Sequence, residues 1–120
     1  MKEFESSRRF RLADYDMSHS QLLIRSPKNE KDDQNIDLIF QDVTHLDVDE
    51  TFYGIRLTLA EGEEKPAPGK KITVIIESQG IASMIDCLNV IICSNDLELK
   101  ESSLGVIQHK GRDNVLGVIE

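Results

Sequence analysis

The chain has 120 residues, a length that fits one domain spanning 1–120 and that can bury a core without disulfides or a structural metal. Lys and Arg total 14 against 22 Asp and Glu, a formal charge of −8, with the basic residues scattered along the chain. That balance repels phosphate backbones, so no nucleic acid is expected as a partner. An acidic surface instead favours solubility and complements a basic protein.

The N-terminal stretch MKEFESSRRFRL lacks the core of a signal peptide, because charges interrupt every apolar run. No later stretch approaches the roughly 18 apolar residues that would span a membrane. The reading is a cytoplasmic protein with no membrane association. Next comes DYDMSHS, residues 14–20, where two aspartates, a histidine and two serines precede an alternating run. Asp, Ser and His commonly satisfy backbone groups at turns, so the stretch reads as a polar turn feeding a strand.

Ser20 to Ser26, SQLLIRS, places Leu22 and Ile24 on one face of that strand. The segment 26–35, SPKNEKDDQN, is a charged loop. From Ile36 to Val48 the even positions stay apolar except around Asp42, which predicts a bend or bulge near Gln41 and Asp42. Between Tyr53 and Ala60 the alternation is the clearest in the chain, with Tyr53, Ile55, Leu57 and Leu59 assigned to one face. The segment 61–70, EGEEKPAPGK, is a second loop, and Lys71 to Glu77 alternates again through Ile72, Val74 and Ile76.

Gly80 to Cys93 carries two patterns. Ile81, Met84, Ile85, Leu88 and Ile92 follow the spacing of an amphipathic helix, whereas LNVIIC reads as a strand preceded by a turn at 78–80; the strand is preferred. On a strand Cys87 and Cys93 would lie roughly 20 Å apart at about 3.3 Å per residue, too far for a disulfide. At the C-terminus LGVI occurs at Leu104 to Ile107 and at Leu116 to Ile119, which suggests a terminal hairpin turning in KGRDN.

The candidate site residues are Asp16, His19, Arg25 and His45. Asp14, Asp16 and Ser18 superficially match the motif of aspartate-nucleophile phosphatases, but that motif needs a buried parallel strand before it, and this chain reads antiparallel. Asp14, Asp16 and His19, with His45 or Asp47, are residue types that bind divalent ions, yet their spacing matches no metal motif; no metal and no cofactor are expected. His19 and its serine neighbours would point to opposite faces of a strand, and the chain has no G-x-S-x-G elbow or phosphate-binding glycine loop. No catalytic residue is assigned. Arg25 could meet a ligand carboxylate, but pairing with Asp37 or Asp47 on a neighbouring strand is the preferred reading.

The runs DYDMSHSQLLIRSP and NIDLIFQDVTHLDV, followed by FYGIRL, resemble a small bacterial β-protein family that carries SHxQLLLRS, then IDxxFxxV, then a glycine before an apolar strand. The matching positions are Ser18, His19, Gln21, Leu22, Leu23, Arg25 and Ser26, then Ile36, Asp37, Phe40, Val43 and Gly54. The similarity covers about the middle half of the chain and implies a compact bacterial domain, with no activity, catalytic residue or cofactor attached. Family members end the second motif with a proline, where this chain has DVDET.

The expected fold is all-β, or β-rich with one helix: an antiparallel sandwich or partly open barrel of roughly six to eight strands. The expected function is a non-enzymatic protein-interaction module, one that neutralises a partner as small acidic bacterial immunity proteins do. The alternatives are a small-ligand-binding barrel with His19, His45 and Arg25 at its mouth, and a metal-dependent hydrolase. A homodimer through the apolar NVLGVIE strand is a further expectation.

Overall fold

A computed structural model describes residues 1–60, 70–104 and 110–120. Among these residues there is no helix; nine strands form one antiparallel sheet that does not close into a barrel. The strands are β1 (Glu3–Asp16), β2 (Gln21–Ser26), β3 (Asn35–Gln41), β4 (His45–Asp47), β5 (Thr51–Leu59), β6 (Ile72–Ser78), β7 (Ile81–Cys87), β8 (Asn89–Asn95) and β9 (Asn114–Ile119). Their order across the sheet is β4-β7-β6-β5-β1-β2-β3-β8-β9, so β1, the longest, lies at the centre.

The chain turns a corner twice. β3 pairs with β8 and β4 pairs with β7, so the continuous segments β3–β4 and β7–β8 form one bent ladder. The bend is bridged by the Leu88 N–H donating to Gln41 O (2.9 Å) and the Thr44 N–H donating to Asp86 O (3.0 Å). Asp42 sits at the corner with φ 53°, where the alternation of 36–48 breaks. The corner folds the sheet over one core built by Phe10, Leu22, Ile24, Leu38, Phe40, Leu57, Ile72, Ile76, Val90 and Ile92, all buried. Residues 80–93 are two strands, not a helix: burial in β7 alternates through Ser83, Ile85 and Cys87, and the Leu88 corner displaces it before β8. The helical spacing arises from joining two strands across that corner. Gln79 (φ 51°) and Gly80 (φ 78°) supply the two positive φ angles of the tight β6–β7 hairpin turn, next to the pair Ser78 and Ile81.

β5 departs from the sequence reading in one respect. Alternation places Tyr53 on the face of Ile55 and Leu57, but Phe52 takes the buried side and Tyr53 is 58% exposed. Register with β1 slips between Ser6 and Arg9, so Ser7 and Arg8 face Gly54 alone, and Gly54 adopts φ 77°. This bulge reverses the parity of the strand, which an unbroken alternation cannot register.

A second, smaller cluster lies on the other face of β2, β3 and β8: Leu23, Ile39 and Cys93, with Ile91 and Leu104 packed against it. Here both faces are covered, because the segment after β8 crosses back over the sheet. It is held by a buried ion pair. Arg25 and Asp37 are register partners, and Nε and Nη2 of Arg25 donate to the two Asp37 oxygens at 2.6 and 2.8 Å. Their side chains are 3% and 0% exposed. Arg25 Nη1 also donates to Glu101 O (2.7 Å), while Asn95 Nδ2 and Ser103 Oγ donate to Asp37 Oδ2 (2.8 and 2.7 Å). Asn35 extends the network to Asn95 Oδ1 and Leu97 O, both at 2.8 Å.

β9 begins after the turn at 110–111 and pairs with β8, which places one strand of the expected terminal hairpin; residues 105–109, on which most of the first LGVI falls, lie outside the described residues. Most of the loop at 61–70 does as well.

Removing one partner from a buried pair leaves an uncompensated charge, which costs about 3–5 kcal/mol. Asp37→Asn is therefore expected to lower unfolding stability by that amount in urea titrations, whereas Asp32→Asn, at the exposed 3.7 Å contact with Arg8, should shift it by less than about 1 kcal/mol. The thiols give a second test. Cys87 belongs to the main core and Cys93 to the smaller cluster on the opposite face, and both are free. Burial pushes each thiol up to about 12 from an ordinary 9.0. Both should resist a thiol reagent at neutral pH and titrate as two groups in denaturant. A raised folded-state value means that stability is full below pH 9 and falls as pH rises from 9 towards 12.

Candidate functional site

The stretch DYDMSHS closes the β1–β2 hairpin. Met17–Ser20 form the turn, and Ser20 adopts φ 51°. Asp16 organises it: its Oδ1 accepts from the Ser18 N–H (3.0 Å), its backbone carbonyl accepts from the His19 N–H (3.3 Å), and Oδ2 meets His19 Nδ1 (2.8 Å). The His19 hydrogen bond is the main influence holding the Asp16 carboxyl below its usual value. Among the described residues the Asp14 carboxylate accepts only from the Tyr15 N–H, at 2.8 Å. The turn is tied to the corner after β3 by the Val43 N–H donating to Ser20 O (2.8 Å).

The other two candidates sit elsewhere. Arg25 lies near the far end of β2, its guanidinium committed to Asp37 and to the overlying strap. His45 lies on the short end strand β4, exposed, opposite Asp86; Asp86 Oδ1 accepts from Thr73 Oγ1 at 2.6 Å. The structure thus joins Asp16 to His19 and leaves Arg25 and His45 each with different neighbours. Among the described residues no group of three or more His, Cys, Asp or Glu is placed to hold a metal ion.

The most distinctive surface is the outer face of β1 and β5, which the candidate set missed. Tyr53 and Arg9 are register partners, and the Arg9 guanidinium lies 5.6 Å from the Tyr53 ring centroid, within cation–π range. Arg11 is next on the same face, paired with Thr51 on one side and with Arg25 on the other. Four of the six arginines are held by protein acceptors: Arg8 by Ser26, Arg25 by Asp37, Arg56 by Glu3 and Arg112 by Ser103. Arg9 and Arg11 have no carboxylate within ion-pair distance among the described residues. The signal for this surface was present in Gly54: an isolated glycine in an alternating strand marks a bulge, and the bulge turns Tyr53 outward.

No protein-family model, no curated protein and no solved structure matches the chain. No helix among the described residues is long and apolar enough to cross a membrane.

The turn geometry predicts that His19→Gln leaves the urea midpoint nearly unchanged, because glutamine retains a donor of similar reach. In His19→Ala, which removes the donor, the Asp16 carboxyl is relieved of its main influence and should titrate closer to the ordinary 3.8 when followed by NMR. A lowered value means that the stability contributed by Asp16 is present above pH 3.8 and lost as pH falls below it. Loss of stoichiometric bound metal in His19→Gln would contradict the assignment of DYDMSHS as a turn.

Proposed function

We propose that the chain is a non-enzymatic protein-interaction module that binds a protein partner through the outer face of β1 and β5. The observation that carries this reading is the exposed Tyr53 ring with Arg9 over it, on the central strands of the sheet. Tyrosine and arginine dominate the energetics of protein interfaces, since each combines a large contact area with directional polar groups. Strands paired on both sides hold these groups at fixed positions, so little conformational entropy is lost on binding. Arg9 stacked on Tyr53 is ordered before a partner arrives. The two unneutralised arginines also stand out on a chain of net charge −8, which restricts attraction to a local patch. In such a module the aspartates and histidine of DYDMSHS shape a turn and carry out no chemistry.

Replacing Tyr53 by a photo-crosslinking phenylalanine derivative tests the reading in the cell of origin. Illumination is expected to give a discrete protein adduct that disappears when Arg9→Glu is added, while the same probe at Glu30, on the exposed loop after β2, gives none. Equal labelling from the two positions would refute the assigned face.

A further inference from the structure

Two hollows adjoin on the outer face and share Arg11 and Leu12. The first, of about 340 Å³, is lined by Arg9, Arg11, Leu12, Glu50 and Thr51. The second, of about 130 Å³, is lined by Arg11, Leu12, Ala13, Arg25, Pro27 and Leu99. The two differ in chemistry. The first offers two guanidinium groups and a hydroxyl against the single carboxylate of Glu50; in the second Arg25 is spent on Asp37, and what remains beside Arg11 is largely apolar. Leu99, carried on the strap after β8, is 72% exposed at its rim.

The site is ordered by the fold. The Leu12 N–H donates to Glu50 O (2.9 Å), which fixes the wall between the hollows, and Tyr53 supports Arg9 from one side. Arg9 and Arg11 are two residues apart on a strand, so their Cα atoms are separated by roughly 6.7 Å along it. An extended peptide has the same repeat. Carboxylates at positions i and i+2 of such a peptide therefore match both arginines in register, and the residue at i+4 falls beside Ala13 and the apolar hollow.

We propose that this double hollow binds an extended acidic peptide segment of the partner protein, with two carboxylates two residues apart followed, two residues on, by an aliphatic side chain. The proposal rests on the interaction-module reading and names the chemistry of its partner. Charge selects the sign of the ligand: Arg9 and Arg11 lack ionic partners among the described residues, and a carboxylate supplies each with a charge-assisted hydrogen bond. Glu50 and the net charge of −8 disfavour a denser polyanion such as a nucleic acid, whose phosphates would approach the acidic remainder of the surface. Ala13, Pro27 and Leu99 give the aliphatic side chain an apolar seat. Thr51, opposite Arg11, offers a hydroxyl to the peptide backbone.

The test uses the full chain and a fluorescein-labelled heptapeptide in which glutamates at positions one and three and a leucine at position five alternate with threonines. Fluorescence anisotropy is expected to show saturable binding that weakens as salt is raised. The affinity should fall at least tenfold in Arg9→Glu/Arg11→Glu and at least threefold in Leu99→Ser. Replacing both peptide glutamates by glutamine should abolish binding. Urea midpoints check that the variants fold, and Arg9→Gln/Arg11→Gln serves if charge reversal perturbs the sheet. Binding that is indifferent to the peptide glutamates, or to both arginine pairs of substitutions, overturns the proposal. No peptide binding, together with a persistent adduct at position 53, overturns the acidic partner and leaves the interaction face standing. Absence of both removes the face as well.

Discussion

The buried pair of Arg25 and Asp37 is the constraint around which the rest of the structure is arranged. A sheet with both faces covered normally places apolar side chains on each side, yet here a charge pair is buried on the second face beside Leu23, Ile39 and Cys93. It is tolerated because every oxygen of Asp37 is engaged and the guanidinium is satisfied by Asp37 and Glu101 O. The strap is therefore part of the electrostatics: Ser103 and the carbonyl of Glu101 stand where water would otherwise be required. The segment carrying Leu99 is positioned by the same bonds, so the rim of the apolar hollow depends on an ion pair buried beneath it.

The outer face owes its character to irregularities rather than to regular pairing. The slip opposite Gly54 turns Tyr53 outward, and a further slip between Leu12 and Asp14 displaces Ala13 at the edge of the second hollow. Without the first, Tyr53 would lie with Ile55 in the core. Bulges of this kind let a sheet bury one apolar face and still present an aromatic group on the other.

Much of the fold was legible because its signal is local. Alternation in 20–26, 36–48, 53–60 and 71–77 gave strands close to those observed, and the interruption at Asp42 marked the corner. β1 was harder to see: its even positions read Phe4, Ser6, Arg8, Phe10 and Leu12, and two polar residues occupy the inward side because Ser6 and Arg8 satisfy backbone and loop groups there. The helical pattern in 80–93 competes with the preferred strand reading for a related reason, since two strands joined at a bend imitate a period they do not have. The pairing of Arg25 with Asp37 could be anticipated from strand neighbours. That the pair lies under a strap could not, because Ser103 and Glu101 reach it across more than sixty positions of chain. The exposure of Tyr53 is not legible in the alternation, because strict period two runs through Gly54 and only the slip opposite it reverses the parity.

The separation of the two thiols makes them independent reporters of motion. Cys93 lies in the cluster covered by the strap, whereas Cys87 lies in the main core with Ile85 and Val90. Lifting the strap alone would bare one sulfur and leave the other enclosed, and only opening of the folded-over sheet would reach the second. Alkylation rates followed separately at the two cysteines would therefore distinguish a partial opening from global unfolding, and would give each its own free energy within a single unmodified chain.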